Sequence, residues 1–165
     1  MSAGQRHLPS PEAYLVTERL IAGGFPFDGE DGSRVARYEA LGVGVFVDLT
    51  HPTDPLPSYE PHLSSATRIA HPIVDMATPT VPQMRRILDD IDEGLSGDGA
   101  VYVHCWGGIG RTGTVVGCWL QRHGLDEGDA IARIAALRRM ALDSSMPSPQ
   151  TTAQRAMVRG WRRGR

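Results

Sequence analysis

Residues 43–49, Val-Gly-Val-Phe-Val-Asp-Leu, are almost continuously apolar, which marks a strand covered on both faces rather than one alternating between core and water. Such a strand needs parallel neighbours, and parallel neighbours need long helical crossovers. The chain supplies them. Helical spacing through Val35, Tyr38 and Leu41, stopped by Gly42, precedes the strand. Thr80 and Gln83 have capping-box spacing ahead of an apolar stripe at Met84, Ile87, Leu88, Ile91 and Leu95. A strand over 100–104 leads through a glycine-rich turn into a mostly apolar helix from about Arg111 to His123, with Gly124 as its stop. One more helix is expected from Asp126 through Ile131, Ile134 and Leu137. The last is expected to start with Ser148 as N-cap and Pro149 at N1.

β-prone pieces at 13–16, 19–24 and around 67–72 complete the pattern. It predicts an α/β fold: a central, mainly parallel sheet of four to five strands flanked by helices in three layers. Prolines 52, 55, 57 and 61 deny donors to any sheet and stiffen the loop after residue 50.

At 165 residues, 41% apolar and 22% charged, the chain fits one domain with a single core. Residues 1–12, with Pro9 and Pro11, are expected to form a flexible leader, and 13–165 the folded domain. A formal charge of −2 argues against broad nucleic-acid binding, and Arg159, Arg162, Arg163 and Arg165 are expected to be a solvated helix end. No run approaches the roughly 18 to 20 apolar residues of a membrane span, and the N-terminus lacks a secretory apolar centre. A cytoplasmic protein without membrane insertion is therefore expected. Two cysteines, Cys105 and Cys118, are too few for a disulfide framework or a four-thiolate zinc site. Cys118, two turns into an apolar helix, is expected to be packing.

The stretch His-Cys-Trp-Gly-Gly-Ile-Gly-Arg-Thr-Gly at 104–113 carries the chemistry. Gly107, Gly108 and Gly110 permit positive φ and close backbone approach, so that successive N–H groups can form an anion nest. The following helix adds its positive end to the same spot. A nucleotide-binding loop would close on Gly-Lys-Ser or Gly-Lys-Thr, whereas Gly110-Arg111-Thr112 offers a planar guanidinium for two phosphoryl oxygens. Thiols ionise near 8.5, and helix N-termini with nearby cations lower such values to roughly 3.5 to 7.5. The field that attracts phosphate is thus expected to ionise Cys105 as a nucleophile.

This motif resembles the Cys-x5-Arg-Ser/Thr signature of the cysteine-dependent protein tyrosine and dual-specificity phosphatase superfamily. The wider pattern from 19–26 through 46–50 to 148–154 is similar to its small single-domain members. The resemblance implies metal-independent and cofactor-free hydrolysis of phosphate monoesters through a phosphocysteine. Substrates would be phosphotyrosine or phosphoserine/threonine proteins or a small monoester, with a phosphoinositide as alternative; a silent phosphate-binding module is the rival of another class. Cys105 would be the nucleophile, and Arg111 the clamp alongside the backbone N–H groups of Trp106, Gly107, Gly108, Ile109 and Gly110. Thr112 would hydrogen-bond the thiolate, and Asp75, between Pro72 and Pro79, would be the proton donor, with Asp48 and Asp54 as competitors. Asp48 also reads as a buried acceptor fixing local loops. His104 would organise the loop. Gln150 and Gln154 stand open between a structural role and positioning the hydrolytic water. Tyr59 is expected on the surface, stacking on a phenyl ring of substrate. None of residues 106–110 is basic, which favours a singly phosphorylated target. Oligomeric state is left open.

Overall fold

The computed structural model of the chain describes residues 7–27, 31–124 and 129–165. Its strands are β1 (Tyr14–Leu15), β2 (Leu20–Gly23), β3 (Val43–Asp48), β4 (Thr67–Ala70) and β5 (Ala100–His104). They form one mixed sheet in the order β1-β2-β5-β3-β4. Only the β1–β2 pair is antiparallel. The helices are α1 (Ser33–Ala40), α2 (Val81–Ser96), α3 (Gly110–His123), α4 (Ala130–Leu137) and α5 (Thr152–Gly160).

Strand β5 is buried along its whole length, and its side chains alternate between two cores, as the two-residue period demands. Val101 and Val103 join Val47, Ile87, Leu88 and Val115 in the core beneath α2 to α5. Tyr102 faces the opposite core with Val35 and Tyr38 of α1 and Phe46 of β3. There Tyr38 stacks on Tyr102 with ring centroids 4.2 Å apart. The three-layer expectation and the mainly parallel sheet both hold. Cys118 is fully buried, and burial pushes its thiol well above the ordinary range, in keeping with a packing role. No helix of the described residues is long and apolar enough to cross a membrane.

Several local expectations are corrected by tertiary partners. Residues 9 and 10 do not behave as a loose leader: Ser10 is buried, Tyr38 donates to its Oγ at 2.8 Å, and Arg37 donates to the Pro9 carbonyl. Asp126, the expected start of α4, lies outside the described residues; Asp129 caps that helix by accepting from Ile131 N. The Thr80 cap accepts from Gln83 N, but Gln83 does not close the box; its amide donates to the Pro72 carbonyl at 3.0 Å. Ser148 and Pro149 are not the N-cap and N1 of α5. Thr151 is the cap, in a complete box with Gln154, because the Ser148 hydroxyl is used elsewhere. Beyond Arg159 and the end of α5, the chain returns to α3: Gly164 N donates to the Arg122 carbonyl, and Trp161 Nε1 to the Arg165 carbonyl. The arginines at 162, 163 and 165 therefore belong to a folded-back segment rather than extend the helix, with Arg162 and Arg163 exposed.

Candidate active site

Sheet register sets the site. Gly23, His104 and Asp48 are direct neighbours across β2, β5 and β3, so three strand ends finish level, at the edge where α/β folds collect ligands. His104 is fully buried. Its Nδ1 lies 3.0 Å from the Cys105 carbonyl and its Nε2 lies 2.8 Å from the Tyr59 hydroxyl. A carbonyl only accepts, so Nδ1 carries the proton and Tyr59 donates to Nε2. Burial pushes the imidazole's pKa down, against the opposing charge of Asp48, and keeps the ring neutral. His104 thus ties the Cys105 carbonyl to the Tyr59 hydroxyl. Tyr59 is corrected: it is 1% exposed, packed edge-on to Phe25 and His104, and presents no ring to a substrate.

Asp48 is the expected buried acceptor. Thr50 donates to Oδ1 through its amide and hydroxyl, and Arg68 Nε donates to Oδ2 at 2.8 Å. Burial works to raise its pKa, but the hydrogen bonds from Thr50 and Arg68 outweigh that and hold the carboxyl below the usual range.

Cys105 follows β5 directly and is 3% exposed. Gly108 N donates to its sulfur at 3.3 Å, and Thr112 Oγ1 lies 3.1 Å from the sulfur and 3.2 Å from the Gly23 carbonyl. Of the three loop glycines, only Gly108 takes a positive φ, 77°. A Cβ there would also sit 2.5 Å from the Gly23 carbonyl carbon. Gly110 instead opens α3, where a side chain would strike Gln150 Oε1. The first turn of α3 leaves its N–H groups without intrahelical partners. The side chain of Trp106 is half-exposed beside this turn, and Ile109 is buried.

Arg111 is 1% exposed and its guanidinium is gripped at both ends. Nη1 donates to Asp54 Oδ2 at 2.7 Å and to the Ile73 carbonyl at 2.9 Å, while Nη2 lies 3.2 Å from Asp75 Oδ1. Its Nε is buried and unpartnered, a condition that costs about 1–3 kcal/mol unless a ligand relieves it. Asp54 is burdened by burial, yet the His51 amide and Arg111 hold its carboxyl below the usual range. Asp75 has a side chain 55% exposed. The chain turns sharply after it, with Met76 at φ 64° donating its amide to Asp75 Oδ1. Side chains from three helices hold this loop by its carbonyls: Gln83 at Pro72, Arg111 at Ile73, and Gln154 at Ala77.

Gln154 is fully buried; its Oε1 accepts from the amides of Gln150 and Thr151. Its amide group is committed to holding the start of α5 and the Asp75 loop. Gln150 is half-buried and faces Gly110. Sequence reasoning named Asp54 only as a rival proton donor and missed it as the partner of Arg111. No local signal links residues 57 positions apart. Among the described residues, no three His, Cys, Asp or Glu side chains are grouped to hold a metal ion.

Residues 34–125 match the family described as Tc-R-P, polymorphic toxin system, DSP-PTPase phosphatase. The dual specificity protein phosphatase CDC14AB of Danio rerio is 48% identical over 50 residues, 30% of this chain and 8% of that protein. The human dual specificity protein phosphatase CDC14C is 41% identical over 49 residues, 30% of this chain and 10% of its own length. The chain thus spans at most a tenth of these two relatives. Among solved structures, Tk-PTP in its active form superposes with a TM-score of 0.71 at 27% identity, covering 90% of this chain and 95% of that one.

Proposed function

The chain belongs to the DSP-PTPase phosphatase family of polymorphic toxin systems, and from that premise we propose that it hydrolyses phosphate monoesters through a phosphocysteine on Cys105. The observation that carries this reading is the buried, unpartnered Nε–H of Arg111, a charged donor beside the loop that holds the sulfur. A tetrahedral oxyanion above Cys105 relieves that orphan and meets the amides of 106–111, which stabilise charge as it spreads over the equatorial oxygens.

In the first step the sulfur attacks phosphorus, the ester P–O bond breaks, and Asp75 gives its proton to the departing oxygen. In the second, water attacks phosphorus, Asp75 takes the water's proton, the S–P bond breaks and phosphate leaves. Thr112 Oγ1 and Gly108 N, both aimed at the sulfur, support its negative charge at each end of the cycle. Asp75 is preferred as proton donor because its side chain is 55% exposed beside Arg111, whereas those of Asp48 and Asp54 are buried and already taken up by Thr50, Arg68, the His51 amide and Arg111. Gln150, facing the loop, is the better candidate for positioning the water. Proteins carrying phosphotyrosine or phosphoserine/threonine are the proposed substrates, since no basic side chain at 106–110 awaits a second phosphate.

The test is turnover of p-nitrophenyl phosphate in the presence of a chelator. Wild type is expected to be active, Cys105→Ser to bind orthovanadate without turning over, and Asp75→Asn to lose kcat by about 10²–10⁴. Unimpaired turnover by Cys105→Ser would falsify the mechanism. A normal Asp75→Asn variant would remove the proton-donor assignment.

A further inference from the structure

Three carbonyls of the phosphate loop are held by partners outside the cup. His104 Nδ1 takes that of Cys105 at 3.0 Å, Phe25 N takes that of Trp106 at 2.9 Å, and Ser148 Oγ takes that of Ile109 at 2.6 Å. Peptides are planar, and in a trans peptide the C=O of one residue and the N–H of the next point to opposite sides of the chain. The Ser148–Pro149 bond is the cis peptide of the described chain, so these loop peptides are trans. Each carbonyl fixed on the outside therefore turns one amide, of Trp106, Gly107 or Gly110, to the other side.

The first two anchors are a side chain and a main-chain amide of the same strand ends. The third comes from 39 residues away and is a hydroxyl. The helix itself holds the Ile109 carbonyl weakly: Gly113 N reaches it at 3.3 Å, whereas Ser148 Oγ, 6% exposed as a residue, donates at 2.6 Å. Gly113 has no side chain because Ser148 occupies that space; a Cβ there would collide with Oγ. Ser148 is in turn presented by the segment between α4 and α5. That segment is folded around the buried guanidinium of Arg138, which donates to the carbonyls of Asp143 and Met146.

We infer that Ser148 is a positioning residue for phosphoryl transfer, whose hydroxyl pins the Ile109 carbonyl outward and so aims the Gly110 amide at the transferring phosphoryl group. This rests on the phosphatase reading above and adds to it a residue that touches neither substrate nor sulfur.

Two variants test it by different routes. Ser148→Ala deletes the donor; Gly113→Ala keeps Ser148 but places a methyl group where Oγ lies. Outright loss of an oxyanion donor costs about 10²–10³ in kcat, and loosening one amide among several is expected to cost about tenfold. Both variants should therefore show kcat on p-nitrophenyl phosphate lowered about tenfold and the inhibition constant for orthovanadate raised roughly five- to tenfold. A merely structural hydroxyl would lower the melting temperature and leave the inhibition constant and KM of the folded protein at wild-type values. That result in either variant overturns the role of Ser148. If Ser148→Ala does not fold, Gly113→Ala decides alone. A wild type that neither turns over the ester nor binds orthovanadate instead overturns the parent reading, so the two failures are distinguishable.

Discussion

Replacing Asp54 with asparagine keeps the shape of the side chain and one acceptor while removing its charge from Arg111. The carboxylate oxygen concerned lies 2.7 Å from Nη1 and also accepts from His51 N at 2.9 Å, with the two side chains 5% and 1% exposed. A hydrogen bond to a charged group contributes about 1.5–3 kcal/mol, and stripping one partner from a buried ion pair costs up to about 3–5 kcal/mol. Arg111 keeps the Ile73 carbonyl and the Asp75 carboxylate, so the lower range applies: a loss of about 1.5–3 kcal/mol at pH 7, measured by urea denaturation. The pH dependence carries the sharper test. Because the folded-state pKa of Asp54 lies below its ordinary value, the unfolded chain takes up the proton first as the solution is acidified. The stabilisation is complete above the unfolded carboxyl value of about 3.9 and disappears as pH falls through the folded value. The gap between wild type and Asp54→Asn should be level from about pH 7 to 5 and then close. Activity should fall with it, since the guanidinium then has Asp75 as its one remaining anionic partner among the described residues. A variant as stable as wild type at pH 7, or a gap that persists unchanged into acid, would refute the argument that this carboxylate holds Arg111 by charge.

His104, neutral in the fold with its pKa depressed by burial, stabilises fully above the unfolded imidazole value of about 6.5 and loses that contribution as pH falls below it. His104→Asn should therefore flatten the decline in denaturation midpoint between about pH 6.5 and 5, whatever it costs at neutral pH. Gly108→Ala places a side chain at φ 77° and against the Gly23–Gly24 backbone. The left-handed backbone alone costs about 1–2 kcal/mol, and relief of the collision must open the loop, so orthovanadate binding measured by calorimetry should be lost before the fold is. Retained affinity in that variant would mean that the loop tolerates a shape other than the one described.

What was legible in the sequence was local. The strand 43–48, the turn and helix at 105–123, the Thr80 cap and the Gly124 stop all follow from patterns spanning a few residues, and all are present. Errors arose where a local rule met a stronger distant partner. Ser148 followed by proline satisfies the N-cap pattern, yet the Ile109 carbonyl takes the hydroxyl and the cap passes to Thr151. Tyr59, in a run of prolines, reads as surface, but the gap between Phe25, Phe46 and His104 is filled by its ring. The candidate nucleophile and clamp are nameable from the glycine-rich turn itself, whereas the candidate proton donor, Asp75, is nameable because a resemblance points at it. The grip of Asp54 on Arg111 joins two loops whose meeting depends on the whole sheet, and nothing in either loop announces it.

The level ending of β2, β5 and β3 makes the chemistry answerable to strand registry rather than to loop sequence. Sliding β3 by one position would turn Asp48 to the opposite face, part it from His104 and Arg68, and leave the turn after β5 without its lateral brace. Loops springing from those ends can vary in length and in what they greet at the surface while the sulfur stays where it is. Diversification in such a scaffold is expected to concentrate in the crossovers, and the last residue of each strand to be the least free to change.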